Sequence, residues 1–186
     1  VGVTIFTVMS KLANDTGAIN LSQGFPDFNC DPGLIDAVAQ KMREGHNQYC
    51  PMPGVLPLRE ALSKKIERLY GRHYDPVTEI TITAGATEAL FSTITALVHP
   101  GDEVIVFEPA YDSYVPALQL SGGIPVFVTL RHPDYRINWD EVRRALTPKT
   151  KLVLLNSPHN PTGTMLGPED IQELKDVLSR TDAYVV

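Results

Sequence analysis

Two short runs of the sequence are apolar at every position, Val104 to Phe107 and Leu152 to Leu155. A strand with one face in water alternates polar and apolar residues, so an unbroken apolar run is typical of a strand covered on both faces. Such strands occur in parallel sheets that have helices on both sides. The two runs therefore predict an α/β fold, a three-layer sandwich around a mostly parallel sheet.

Other segments of the chain complete this alternation of strands and helices. Further strand cores are predicted at Ile80 to Thr83, Val126 to Thr129 and Ala183 to Val186, and each interval leaves room for one helix. Helical spacing of apolar residues predicts helices over Thr87 to Val98 and Pro168 to Ser179, and over two segments that end at Gly45 and Gly71. Asp31 with Pro32 and Asn138 with Glu141 have the pattern of helix starts.

The first part of the chain differs from the rest. Residues 20–30 and 46–54 are rich in turn-forming residues, so we expect residues 1–50 to form an N-terminal arm and part of a small domain. Residues 51–186 are expected to be the first part of a large domain. The sequence begins with Val1 and stops within an apolar run, so we expect both ends to be cut.

Composition excludes several classes of function. The chain has 16 Lys and Arg against 22 Asp and Glu, so the basic surface of a nucleic-acid-binding protein is not expected. No apolar run is long enough to predict a membrane span, and the N-terminal stretch lacks the pattern of a signal peptide, so a cytoplasmic protein is predicted. Cys30 and Cys50 have no spacing typical of a zinc site, and we expect two free thiols and no metal.

Loops after the predicted strands carry the candidate chemistry, because ligands of open parallel sheets bind at the carboxyl ends of the strands. Gly85 and Thr87 open a helix after the first strand, where free amides and the helix dipole favour an anion. Gly85 could instead serve only a tight turn. Tyr111 and Tyr114 follow the second strand, where a ring can stack on a planar ligand or simply pack in the core.

The loop after the Leu152 to Leu155 strand is the most unusual of the three. It reads Asn-Ser-Pro-His-Asn-Pro-Thr-Gly over residues 156–163. Asn156 lies two residues before Pro158, and Asn160 lies directly before Pro161. The prolines keep the loop extended. Asn156 and Asn160 present both donors and acceptors, which suits the binding of a ring oxygen or a carboxylate. A rigid turn would explain one asparagine but explains the whole loop poorly.

Four motifs in this order resemble those of class I aminotransferases of pyridoxal phosphate fold type I. They are Asn-Leu-Ser-Gln-Gly-Phe-Pro-Asp-Phe at 20–28, Thr-Ala-Gly-Ala-Thr-Glu-Ala-Leu at 83–90, Glu-Pro-Ala-Tyr-Asp-Ser-Tyr at 108–114 and the loop at 156–163. The resemblance covers nearly the whole chain and is strongest to bacterial methionine aminotransferases and kynurenine aminotransferases. It implies that residues 51–186 are the first part of the domain that binds pyridoxal phosphate.

The resemblance also implies a role for each motif residue. The amides of Ala86 and Thr87 in the Gly85 loop would hold the cofactor phosphate. Tyr111 would stack on the pyridine ring, and Asn160 would hydrogen-bond its O3′ oxygen with Asn156 beside it.

Substrate and partner contacts are implied in the same way. Gly24 and Phe25 would contact the substrate, together with Asn160. Tyr49 would reach the cofactor phosphate of a neighbouring subunit, so a homodimer is expected. Amino acids and 2-oxo acids are the expected substrates.

The sequence departs from the family in one respect. The family's Schiff-base lysine, its pyridine-binding aspartate and its carboxylate-binding arginine all follow the Asn-Pro-Thr-Gly motif, and no lysine of this chain has the matching context. We therefore expect the Schiff-base lysine beyond Val186 and no catalytic residue within the 186.

Three functions are consistent with these features. The first is transfer of an amino group from an L-amino acid, methionine, aromatic or kynurenine-like, to a 2-oxo acid. The second is a β-carbon–sulfur lyase of the same fold, since a fold does not fix a reaction. The third is a non-catalytic regulatory domain that resembles an aminotransferase.

Overall fold

The computed structural model describes residues 3–24 and 26–186. The chain divides into two compact units, one up to Thr81 and one from Ile82 onward. None of the helices described is long and apolar enough to cross a membrane.

The first unit contains three helices. They are α1 (Ile5–Thr16), α2 (Pro32–Arg43) and α3 (Leu56–Tyr70). The start of α2 is as predicted, because the Asp31 carboxylate accepts hydrogen bonds from the amides of Gly33 and Leu34. The predicted end of α3 is also confirmed, since Gly71 adopts a left-handed φ of 67° there.

Helix α1 was not predicted from the sequence. It begins after Thr4, whose hydroxyl accepts a hydrogen bond from the Thr7 amide, and it ends at Gly17 with a φ of 64°. None of its side chains is buried within this chain. Ile5, Val8 and Leu12 nevertheless recur at helical spacing, so the sequence carried a helix signal that the prediction of an arm overlooked.

The second unit is built on a parallel sheet. Its strands are β1 (Glu103–Glu108), β2 (Ile124–Thr129), β3 (Thr150–Leu154) and β4 (Tyr184–Val185), and its helices are α4 (Gly85–Leu97), α5 (Tyr114–Leu120), α6 (Trp139–Ala145) and α7 (Pro168–Leu178). The strand order is β2-β1-β3-β4, and every pairing is parallel. The predicted α/β class with a mostly parallel sheet is confirmed.

Side chains of the two central strands point alternately into two separate cores. Val104 and Val106 of β1 belong to the core under α4 and α5. Ile105 and Phe107 belong to the core under α6 and α7. The side chains of β3 alternate in the same way, since Val153 lies in the core under α6 and α7 while Leu152 and Leu154 lie in the core under α4 and α5. The unit therefore has three layers, as the two unbroken apolar runs predict.

One predicted strand is wrong. Residues Ile80 to Thr83 form no strand in the described part of the chain. A strand needs a hydrogen-bonded neighbour, and none of β1 to β4 pairs with this segment. The segment is at most half-buried, and its apolar pattern by itself could not supply a partner strand.

Polar contacts fix α6 and α7, the helices that cover the second core. Asn138 caps α6 as predicted, since its side-chain oxygen accepts from the amides of Asp140 and Glu141. The buried Trp139 donates its indole N–H to Asp170 of α7 over 3.0 Å. This bond joins α6 to α7, the two helices that cover the second core.

A close backbone approach at Gly123 yields a test of the first core. A Cβ atom at Gly123 would lie 2.6 Å from Cγ1 of the buried Val98, which is closer than packed atoms come. Gly123→Ala should therefore lower the free energy of unfolding by about 1–3 kcal/mol, as overpacked cores do. Urea denaturation of the purified protein measures this difference.

Gly24→Ala is the matched control, because a Cβ there would meet no atom within 4 Å. Its free energy of unfolding should change by less than about 0.5 kcal/mol. Equal stability of Gly123→Ala and wild type would contradict the close packing of Val98.

Candidate functional site

The connections of the sheet change direction between β1 and β3. After β1 the chain turns into α5, which packs on one face, and after β3 it turns into α7, which packs on the other. Adjacent parallel strands whose connections leave on opposite faces form a topological switch point, where ligands bind in doubly wound folds. The loops that begin at Pro109 and Leu155 follow the two strands at this switch point.

Tyr111 lies in the loop after β1. Its ring is half-buried against the core under α4 and α5 and meets the ring of Tyr114 edge to face, with 5.8 Å between centroids. Burial raises the pKa of Tyr114, and the adjacent Tyr111 adds to this effect, so Tyr114 is a neutral packing residue at pH 7. The contact holds the Tyr111 ring while leaving part of it exposed.

The loop after β3 is closed by its own hydrogen bonds. Asn160 donates its main-chain N–H to the side-chain oxygen of Asn156 over 2.6 Å. His159 and Thr164 are joined by a main-chain bond of 2.8 Å, and the Gly163 amide donates to the His159 carbonyl. The bond from the Leu166 amide to the Ser157 hydroxyl ties the end of the loop to its start.

The two asparagines consequently have different tasks. Asn156 is half-buried and uses its side-chain oxygen to shape the loop. The side chain of Asn160 is exposed and makes no hydrogen bond to any residue that the structure describes. Its donor and acceptor are thus free to contact a ligand.

Helix α4 presents its N-terminus in the same unit. Gly85 opens the helix with a φ of 82°, and first-turn amides such as those of Ala86 and Thr87 have no partner within a helix. The short connection from α4 to β1 places the end of α4 at the amino edge of the sheet, so its start is directed toward the carboxyl edge. All three residues are exposed, and the arrangement can bind an anion.

His159 lines a small cavity on the α6 and α7 side of the carboxyl edge, together with Asn156 and the apolar Phe107 and Leu130. Burial lowers the pKa of the His159 imidazole below its ordinary value. Its Nδ1 lies 2.8 Å from the Thr162 hydroxyl. The neutral ring serves as a structural part of the loop.

Comparison with known proteins identifies the family. The family model of aminotransferase class I and II matches residues 16–186. The chain belongs to the class I and II aminotransferases. It is 50% identical over 185 residues to the methionine aminotransferase of Escherichia coli K12, which covers 100% of this chain and 48% of that protein. It is 38% identical over 195 residues to the kynurenine–oxoglutarate transaminase of Dictyostelium discoideum, which covers 96% of this chain and 45% of that one.

A solved aminotransferase structure agrees with the fold. The crystal structure of an Escherichia coli protein identified as a methionine aminotransferase superposes with a TM-score of 0.94 and 50% identity, covering 98% of this chain and 48% of that one. The chain thus spans about half the length of the aminotransferases it matches. The predicted resemblance to methionine and kynurenine aminotransferases is confirmed.

The predicted site residues of the aminotransferase fall into two sets. One set lies in the second unit, at the start of α4 and in the loops after β1 and β3, and it consists of Gly85, Ala86, Thr87, Tyr111, Asn156 and Asn160. Among these six described residues, a side-chain hydrogen bond joins Asn156 to Asn160 and no other pair. Gly24 and Tyr49 lie in the first unit, where both are exposed. Phe25 lies outside the described residues.

Two polar groups beside the site were missed by the sequence reasoning. The Glu88 carboxylate accepts from the Ala84 amide at the start of α4, and an acidic residue in a first turn is a recognisable signal for this. The Ser113 hydroxyl is buried without a hydrogen-bond partner among the described residues. No sequence signal distinguishes such a hydroxyl from an ordinary helix cap.

The burial of His159 predicts a measurable titration. The midpoint of the His159 titration should lie below 6.5. The measurement follows the imidazole C–H resonance by NMR, and His159→Gln identifies which resonance belongs to His159. Because the unfolded chain binds this proton more readily than the folded one, stability should fall as the pH drops below about 6.5. The His159→Gln protein should lose less stability between pH 7 and pH 5. A midpoint at or above 6.5 would contradict the burial of the ring.

Proposed function

We propose that the full-length protein, a chain of the relatives' length that contains these 186 residues, is a pyridoxal phosphate-dependent aminotransferase. It would transfer the amino group of an L-amino acid to a 2-oxo acid. The observation that carries the proposal is the topological switch point between β1 and β3, where the two following loops contain the half-exposed Tyr111 ring and the unpartnered Asn160 side chain.

The groups available fit the cofactor's chemistry. An anion suits the first-turn amides of Ala86 and Thr87, and a Cβ built at Gly85 meets no atom within 4 Å, so the approach is open. A planar ring suits Tyr111, whose own position is fixed by Tyr114. We assign the phosphate to the first group and the pyridine ring to the second.

Asn160 would contact the O3′ oxygen of the ring. Its side chain is unpartnered because Asn156 bonds only its main-chain amide, so the loop is held without using the Asn160 side chain. Asn156 therefore acts as the residue that positions Asn160. Substrate carboxylate contacts are assigned to Gly24, Phe25 and Asn160, following the family motifs.

Pyridoxal phosphate, when bound, withdraws electrons from the substrate's Cα and holds the amino group between the two halves of the reaction. The described residues would bind and orient it. A lysine beyond Val186 would form the covalent link and move the Cα proton. The substrate class is methionine, an aromatic amino acid or a kynurenine-like amino acid, and the proposed location is the cytoplasm.

The reaction separates the candidate functions. Full-length protein incubated with pyridoxal phosphate, methionine and a 2-oxo acid should form the new amino acid without releasing ammonia. Ammonia release would instead indicate a β-carbon–sulfur lyase. If neither a new amino acid nor ammonia forms when methionine, phenylalanine or kynurenine is the amino donor, the proposal is contradicted.

Asn160→Ala tests the role of the unpartnered amide. Loss of a hydrogen bond to a charged oxygen should lower kcat/KM by about 10- to 100-fold. His159→Ala is the matched control from the same loop, and it should lower kcat/KM much less. Equal losses in the two variants would show that the loop matters only as a whole.

We further propose that Tyr49 acts across a homodimer. The Tyr49 side chain is fully exposed in this chain, as is that of Met52 nearby, which suits a loop that contacts a second copy. A Tyr49→Ala protein mixed with a variant lacking the cofactor-binding lysine should regain activity, because each hybrid dimer has one intact site. Random pairing limits the recovery to about a quarter of wild type.

Verified subunit exchange is the control for this mixing experiment. Exchange without recovered activity would place Tyr49 in the site of its own subunit. A catalytically competent monomer would contradict the dimer proposal.

A further inference from the structure

Helix α3 buries polar side chains where a helix usually buries apolar ones. Its two buried residues are Arg59 and Ser63, with exposed fractions of 7% and 3%. They are four residues apart and therefore lie on one face of the helix. A buried charge and a buried hydroxyl remain stable only when hydrogen bonds satisfy them.

Main-chain carbonyls satisfy both side chains. Arg59 donates from Nε to the Gly54 carbonyl over 3.1 Å, and from Nη1 to the carbonyls of Pro76 and Val77 over 2.7 and 3.2 Å. The Ser63 hydroxyl donates to the carbonyl of Tyr74. Within residues 3–24 and 26–186, no carboxylate forms an ion pair with Arg59.

The guanidinium thus joins two segments that are far apart in sequence. One is the loop before α3, which ends at Gly54, and the other is the segment after it, at Pro76 and Val77. The planar fork of an arginine can reach both at once, whereas the single ammonium of a lysine lacks that reach. The choice of arginine at this position follows from this geometry.

Residues 47–54, called the Tyr49 loop below, are held at both ends. At the start, the Asn47 side chain donates to the Met42 carbonyl over 3.0 Å. At the end, the Gly54 amide donates to the Pro51 carbonyl over 2.8 Å, and Arg59 binds the Gly54 carbonyl. Tyr49 projects from the part between these anchors.

We infer that Arg59 is a positioning residue that fixes the Tyr49 loop and thereby sets how strongly Tyr49 contributes to cofactor binding. The inference rests on the proposed role of Tyr49 at the phosphate of a neighbouring subunit. Arg59 itself is buried away from solvent and acts only through the loop. Loss of its side chain leaves three carbonyls without their donor, which favours local opening of both segments.

Hydrogen exchange in the cofactor-free, full-length protein tests the first half of the inference. Arg59→Met should speed exchange of the Gly54 amide by about tenfold or more, because this is the amide of the Tyr49 loop that donates a main-chain hydrogen bond to a described residue. Ser63→Ala is the matched control, because it removes the neighbouring buried bond to Tyr74 and leaves Gly54 held. Equal exchange of the Tyr49 loop in both variants would overturn the inference.

Arg59→Lys keeps the measurement decisive if Arg59→Met does not fold. A lysine retains the positive charge but can donate at most one hydrogen bond to Gly54 and one to the segment at Pro76 and Val77. Exchange in the Tyr49 loop should therefore lie between that of wild type and that of Arg59→Met. Exchange identical to wild type in Arg59→Lys would show that the charge alone suffices and would overturn the need for the fork.

A double-mutant cycle with Tyr49→Phe tests the second half. The dissociation constant of pyridoxal phosphate should rise about tenfold in Arg59→Met or, if that variant is unfolded, by a smaller factor in Arg59→Lys. The same change at Arg59 should have little effect in the Tyr49→Phe background, because the loop then has nothing to position. Additive effects would show a merely structural role and overturn the inference.

The two proposals fail in distinguishable ways. If the wild-type protein binds pyridoxal phosphate but Tyr49→Phe leaves the dissociation constant unchanged, the role of Arg59 through Tyr49 is wrong and the aminotransferase proposal stands. If the wild-type protein binds no pyridoxal phosphate, the proposed function fails and the cofactor half of this inference fails with it.

Discussion

The parallel pairing of β1 with β3 is the interaction on which the second unit depends. Val104, Ile105 and Val106 pair with Leu152, Val153 and Leu154 in register, and all six side chains are buried. Alternate residues supply the two cores, so one pair of strands stabilises both layers of helices. Burial of each such side chain contributes about 1.5–3 kcal/mol, which makes these two strands the least replaceable part of the unit.

The same pairing sets the position of the candidate site. Because the connections after β1 and β3 leave on opposite faces, the ends of the two strands are not covered by either connection. The loops there are then free to carry chemistry, and each is stabilised locally. Tyr111 is held by Tyr114, and Asn160 is held through its main chain by Asn156. In both cases a neighbour provides the rigidity, which leaves the group proposed to bind the ligand available.

The first unit is organised differently. Helices α1 and α2 bury no side chain within this chain, and α3 buries only Arg59 and Ser63. Directional hydrogen bonds to carbonyls therefore hold the segments around α3, where the second unit uses apolar packing. Such bonds fix the path of a loop more sharply than apolar contacts do, since they require specific distances and angles. This organisation suits a unit whose exposed loops are proposed to contact substrate and a second subunit.

The sequence by itself determined the elements whose signals are local. The unbroken apolar runs gave β1 and β3, Asp31 and Asn138 gave the starts of α2 and α6, and the Asn-Ser-Pro-His-Asn-Pro-Thr-Gly loop indicated the site and the family. Only the tertiary structure decided which partner each group has. Residues Ile80 to Thr83 have a strand's composition but no neighbouring strand in the part of the chain that the structure describes. Arg59 has a surface residue's charge but is buried among carbonyls. The physical reason is that periodicity and capping act over a few residues, whereas strand pairing and the burial of a charge depend on segments that meet only after the chain has folded.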